Sequence, residues 1–336
     1  GVGTEGLAHL EERSRATATS RLRDPPVSSK VMSPTPARQP FLLSRRGFVA
    51  GVAATGVLAA CGSSADSSSS DNGGDSATGT TSGLTFGSFV LAQRFPQDVQ
   101  EPGLQRLPIS LATPDGTIVA DGPETLRAAV DDADGNSLGL EISTVRRDLE
   151  FGPYYAFRVP IETPGIYYLL VEGGPEGGAA FQVMAPGSVQ VPGPGDAMPP
   201  FDTPTVDDAR DVDPICTRSP DPCPFHDVTL TEALLASKPV AYLIGTPAFC
   251  QTGTCAPALE SMISVQDRFG ETYTWVHAEV YTDNTATVPT DAVGAASLGF
   301  EPALFVIGAD GNVIERLDAI WDETELVEVL ERAESA

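Results

Sequence analysis

The chain has 336 residues, room for about two domains of ordinary size. Twenty Lys and Arg against 46 Asp and Glu leave a net charge of −26, which excludes the clustered cations that a nucleic-acid surface or a polybasic lipid contact needs. A 41% apolar content supports packed cores, and 33 Gly with 29 Pro favour turn-rich β structure over helical bundles.

The charge is unevenly spread. Residues 1–60 carry eight basic and four acidic residues and so are net positive, while the remainder is strongly acidic. Within the basic part, Ser44-Arg45-Arg46-Gly47-Phe48-Val49 opens an apolar run over 48–60. Positive residues followed by so short a run make a signal peptide, since a bilayer-spanning helix needs about 18–20 apolar residues. The other reading is a buried amphipathic helix with an incidental cysteine. Arg45 and Arg46, one residue before Phe48, resemble the twin-arginine export signal. Leu58-Ala59-Ala60-Cys61 resembles the lipobox of bacterial lipoproteins. That resemblance implies export in a folded state, lipidation of Cys61, and an anchor on the outer face of the cytoplasmic membrane. More than one acyl chain would make the hold stable. Met32 is a candidate start, and residues 1–31, polar and Arg-rich, are expected to carry no fold. Residues 62–83, rich in Ser, Gly, Asp and Thr, cannot bury enough surface to offset their ordering entropy and read as a tether.

From 84 to 186 the pattern is β. Strands are predicted over 107–112, 125–130, 139–145, 154–161, 165–172 and 179–183, with alternation clearest in Tyr155-Ala156-Phe157-Arg158-Val159. Turn signals stand at Pro114-Asp115-Gly116, 132–136, Thr163-Pro164-Gly165 and 173–178. Short strands at this spacing predict an all-β sandwich. Pro164-Gly165-Ile166-Tyr167 resembles the late strand of immunoglobulin-like domains, which begins with a corner tyrosine. This part holds no Cys or His and reads as a spacer or binding module. Residues 187–214, rich in Pro, Gly and Asp, read as a linker.

From 215 to 336 helix and strand alternate. Helices are predicted over 229–237 and 257–269, with a last one opened by the capping-box pattern Asp322-Glu323-Thr324-Glu325. Strands are predicted over 239–245, 273–280, 303–308 and 312–317, the last two joined at Asp310-Gly311. The β-α-β, hairpin, helix order, with Cys250 and Cys255 after the first strand and Glu301-Pro302 opening a later one, resembles the thioredoxin fold. The resemblance implies an α/β domain of about 110 residues after the sandwich. It implies a cis-proline at Pro302 beside the redox cysteines, and thiol–disulfide exchange without a cofactor. By place in that fold Cys250 is the nucleophile and Cys255 resolves the mixed disulfide. The helix dipole, which favours a thiolate at Cys255, argues for the reverse.

The sequence departs from the thioredoxin pattern in three ways. Four residues separate the cysteines, Phe249 stands in the place of a tryptophan, and Glu301, by its place before Pro302 in that fold, would face the sulfurs, where a carboxylate disfavours thiolate. Residues five apart on one continuous helix diverge too far for a disulfide, so a late helix start near Pro257 is expected to let the pair meet. The pair reads equally as a redox-active or as a structural disulfide. Cys216 and Cys223, in a Pro-rich loop, read as a structural disulfide, with a second relay pair as the other reading.

Competing chemistries are a peroxiredoxin of the bacterioferritin-comigratory type and a copper-assembly protein. In the first, Thr246-Pro247 lie one residue out of register with Cys250. The second needs a distal His near the C-terminus, whereas His226 and His277 lie elsewhere and His277 reads as a core residue. No zinc ligand set of familiar spacing stands out, so no metal is expected. The expected partners are the membrane, through the anchor, and exported thiol proteins. The alternative to an enzyme is an anchored, non-enzymatic scaffold with structural disulfides.

Overall fold

Seven strands open the computed structural model, which describes residues 89–335. Arg45, Arg46, Cys61 and the 62–83 segment lie outside the described residues. The strands are β1 (Val90–Gln93), β2 (Gly103–Ala112), β3 (Thr125–Asp132), β4 (Ser137–Val145), β5 (Tyr155–Ile161), β6 (Gly165–Val171) and β7 (Ala179–Val183). They form two antiparallel sheets, β1-β2-β5 and β4-β3-β6-β7. Leu107, Ile109, Leu111, Tyr155, Phe157 and Val159 from the first meet Val130, Tyr167, Leu169 and Phe181 from the second in one core. Turn chemistry fixes the register. Asp132 accepts the Asn136 N–H at 2.8 Å and the Asp134 N–H at 2.9 Å, and Gly135 takes a φ of +80° between β3 and β4. Strand β1, which has no strong alternation, is not among the expected strands.

The second half supplies α1 (Leu230–Leu235), β8 (Val240–Ile244), α2 (Cys255–Phe269), β9 (Thr274–Ala278), α3 (Asp291–Ala295), β10 (Ala303–Ile307), β11 (Val313–Asp318) and α4 (Glu323–Glu334). Its sheet runs β11-β10-β8-β9, with β8 and β9 parallel and the other pairs antiparallel. Every residue of β8 and β10 is buried, because helices cover both faces, and so both strands read as unbroken apolar runs. Leu259, Met262 and Val265 of α2 meet Leu326, Val329 and Leu330 of α4 on one side. Leu230 and Ala233 of α1 and Ala292 of α3 cover the other. The order is that of the β-α-β, hairpin, helix reading. Helix α3, a single short turn, was not legible. Among the described residues no helix is long and apolar enough to cross a membrane.

All these elements belong to one compact unit. The sheet β1-β2-β5 is covered on both faces, which is why eight of the ten residues of β2 are buried, Arg106 included. Arg106 forms a two-pronged ion pair with Glu325 of α4, each N–O distance being 2.8 Å, and donates to the carbonyls of Asp318, at 3.0 Å, and Ile320. Tyr154 donates to Glu325 at 2.6 Å and accepts the Asp322 N–H at 2.9 Å. Arg147 reaches Asp322 at 3.2 Å and Glu328 at 2.6 Å. Asp322 caps α4 by accepting the Glu325 N–H at 2.7 Å, but the reciprocal half of the expected capping box is absent. Glu325 is engaged by Arg106 and Tyr154 instead.

Residues 187–214 are not a free tether. Met198 donates its N–H to the Gly311 carbonyl at 2.9 Å, and Gly195 and Val313 are joined at 2.8 Å, so the segment lies along the β10–β11 hairpin. Arg316 of β11 donates to the carbonyls of Pro192 at 2.9 Å and Val99 at 3.1 Å, tying both ends of the first half to the second. Val191, Met198, Thr203 and Thr205 are buried.

The Arg106–Glu325 pair has a clear consequence. Arg106→Ala leaves a buried, unpaired carboxylate and should cost about 3–5 kcal/mol in chemical denaturation. Burial opposes ionisation of Glu325, but Arg106 and the Tyr154 hydroxyl hold its carboxyl down at about 2. Its contribution is therefore fully present above its ordinary 4.5 and lost as the pH falls toward 2, a dependence that Glu325→Gln should remove.

Candidate active site

The chain leaves β8 at Gly245 and turns before α2. The Cys250 N–H donates to the Thr246 carbonyl at 3.1 Å, and the Cys250 carbonyl accepts the Gly253 N–H at 3.1 Å. Gly253 takes a φ of +71°, which favours glycine and reverses the chain. Thr254 is the N-cap and Cys255 the first residue of α2, so the helix starts two residues earlier than expected. The cysteines still meet, because Cys250 lies in the turn before the helix. The Cys255 N–H donates to Cys250 Sγ at 3.3 Å. The hydroxyls of Thr252 and Thr254 stand 3.2 and 3.9 Å from the same sulfur.

Cys250 is half-buried and Cys255 fully buried. Both are free thiols. A hydrogen bond from the Cys255 thiol, the Thr252 hydroxyl and the N–H groups of Cys255 and Thr254 bring Cys250 down to about 5, against the effect of burial. Burial, followed by the Cys250 sulfur and Glu301, pushes Cys255 up. A carboxylate oxygen of Glu301 lies within 4.8 Å of both sulfurs. The Glu301–Pro302 peptide is cis. A Cβ placed on Gly245 would lie 3.4 Å from Pro302 Cβ and 3.7 Å from Cys255 Sγ, so the proline and the buried sulfur share one small space.

The expected penalty from Glu301 is lessened by its own environment. Burial, then the Cys250 thiolate and Glu279, raise its carboxyl to about 8. Between about pH 5 and 8 the site therefore holds a thiolate beside a neutral acid. Thr246, of the Thr-Pro pair compared with the peroxiredoxin pattern, is buried, with its hydroxyl 3.5 Å from that of Thr217. Beside the cysteines runs a groove of about 560 Å³ lined by Arg94, Phe95, Thr252, Thr254, Tyr281 and Glu301. The Phe249 ring meets that of Tyr281 edge-on, with the ring centres 6.5 Å apart.

Cys216 and Cys223 do come together, and two histidines join them. Cys223 Sγ stands 3.3 Å from both His226 Nε2 and His277 Nδ1, and Cys216 Sγ stands 3.7 Å from the latter. All four side chains are buried. His277 lies on β9, 54 residues beyond Cys223, and only the parallel pairing with β8 delivers it here.

Alkylation of Cys250 by neutral iodoacetamide, followed by peptide mass spectrometry, should rise with a midpoint near pH 5 and show a second inflection near pH 8, as Glu301 ionises. Glu301→Gln should keep the first and abolish the second. Since the folded state holds Glu301 protonated, its ionisation works against the fold as pH rises from its ordinary 4.5 through about 8, and the same variant should flatten stability across that window. No protein-family model matches the sequence, and no curated protein matches it. Among solved structures, the chain is similar to a candidate thiol:disulfide interchange protein, DsbE, from Chlorobium tepidum, at 15% identity over 42% of this chain and 98% of that one, with a TM-score of 0.31.

Proposed function

We propose that this protein is an exported, membrane-anchored thiol–disulfide oxidoreductase that uses Cys250 and Cys255. The observation that carries this reading is a half-buried Cys250 in the turn before α2, its Sγ accepting the Cys255 N–H at 3.3 Å, over a fully buried Cys255 at the first residue of the helix. Cys250 is then the attacking sulfur, because it combines access with thiolate character. The dipole argument for Cys255 loses to burial.

In the reducing direction, the Cys250 thiolate attacks one sulfur of a substrate disulfide. A mixed disulfide forms, and the other substrate sulfur leaves as a thiolate that takes a proton from water. Cys255 then gives up its proton and attacks Cys250 Sγ. The second substrate thiol leaves, the Cys250–Cys255 disulfide closes, and two electrons have passed to the substrate. Oxidation of a dithiol is the same path reversed. Glu301, protonated in the resting site, first releases its own proton to water, and the carboxylate so formed is placed to take the Cys255 proton. Burial and the Cys250 thiolate hold it protonated in the resting site, and the second of these disappears once Cys250 is in the mixed disulfide. The groove beside Arg94 and Phe95 is where an extended substrate segment would lie.

The finer assignments belong to the same proposal. Arg45 and Arg46 direct export and Cys61 takes the lipid, with 62–83 as tether. The 84–186 segment is an immunoglobulin-like sandwich that serves as spacer or binding module, and 215–336 is the thioredoxin-like domain. The sandwich reading is supported by Tyr167, whose hydroxyl donates to the Thr163 carbonyl at 2.7 Å, as a corner tyrosine does.

A Cys255→Ser chain should trap mixed disulfides through Cys250 that a Cys250→Ser chain does not. The Cys250–Cys255 couple should titrate above about −300 mV. A lower potential with no trapped species would mark a structural bond and leave an anchored scaffold.

A further inference from the structure

We infer that Cys216, Cys223, His226 and His277 form a closed tetrahedral site for a zinc ion. A tetrahedral ion with bonds of about 2.3 Å to sulfur and about 2.0–2.1 Å to nitrogen sets its donors about 3.3–3.8 Å apart. Three of the four sulfur–nitrogen distances in this cluster are 3.3, 3.3 and 3.7 Å, and the two ring nitrogens are 3.2 Å apart. All four donor atoms lie within 4.8 Å of one another. Four donors at mutual separations set by one central ion are more than a disulfide staple needs.

The surroundings suit a metal. His277 Nε2 stands 3.0 Å from the Gly245 carbonyl. It therefore carries the proton, which leaves the Nδ1 lone pair aimed at the two sulfurs and at His226. The Cys223 N–H points to Cys216 Sγ at 3.4 Å, a donor bond that stabilises a thiolate ligand. Two thiolates, two neutral imidazoles and a divalent ion sum to zero charge, so the filled site can be buried without an unpaired charge. Thiolate and imidazole donors in this geometry select zinc over the harder divalent ions. Exposures of 4, 5, 2 and 0% leave no open position for water or substrate, which makes the site structural rather than catalytic.

The ion would also brace the redox loop. Thr217 follows Cys216 directly. Its N–H and hydroxyl donate to Glu279 at 2.6 and 2.9 Å, and its Oγ1 accepts the Ala248 N–H at 3.1 Å, two residues before Cys250. A metal on Cys216 thus fixes a segment that holds the turn carrying Cys250. The inference does not rest on the redox reading, because it uses none of that site's residues.

The test uses the full chain, isolated from zinc-supplemented cells without chelators. About one zinc per chain should survive gel filtration, with Cys216 and Cys223 protected from alkylation while Cys250 reacts. Exchange for Co2+ alone should give the intense visible bands of a tetrahedral ion together with a thiolate charge-transfer band. A chain carrying both Cys250→Ser and Cys255→Ser should keep the metal and the spectrum, which separates this cluster from the redox pair. Cys216→Ser and His277→Ala should weaken binding by more than the about 10–100-fold that an outer-sphere partner is worth. If those variants do not fold, the stoichiometry, the spectrum and the thiol protection of the unaltered chain decide the matter. A Co2+ complex without tetrahedral bands, copper in place of zinc, loss of metal in the Cys250/Cys255 double variant, or a Cys216–Cys223 disulfide in the zinc-supplemented chain would each overturn the assignment.

Discussion

The parallel pairing of β8 with β9 is the constraint on which both cysteine clusters depend. It sets Leu243 opposite His277 and Ile244 opposite Ala278. A parallel pair needs a crossover, and here the crossover is α2, whose first residue is Cys255. The same register that places Cys255 beyond the end of β8 therefore brings His277 up beside Gly245. One hydrogen bond, from His277 Nε2 to the Gly245 carbonyl, joins the two neighbourhoods. The turn carrying Cys250 and the Cys–His cluster thus share a strand end.

The first half of the chain is built into this arrangement. Arg106 and Tyr154 bury their polar groups on α4, Arg147 reaches the N-terminus of the same helix, and Arg316 collects carbonyls from the segments before β2 and after β7. Buried charges are tolerable only when paired, so such a junction has little freedom to slide. Phe95, just after β1, and Ile320, just before α4, line the same groove beside the cysteines. Gln93 at the end of β1 and Arg94, Phe95 and Pro96 after it thus line that groove together with residues of the second half.

The sequence by itself determined most of the elements. All the strands but β1 follow from their periodicity, β7 to the residue, and the parallel β8–β9 pair follows from a helix set between two strands. Cys250 and Cys255 stood out through their place between a buried strand and a helix. The tertiary structure alone decided what surrounds those residues. Glu301 reads in the sequence as an anion that suppresses thiolate, but burial keeps it neutral until about pH 8. Glu325 reads as half of a capping box, but a buried arginine 219 residues away claims its carboxylate. His277 reads as a core residue on an apolar strand, and it is buried as a core residue would be, with its ring aimed at two sulfurs. Periodicity records which face of an element is covered. It does not record what covers it, because pairing and charge across the core are set by contacts between residues far apart in the chain.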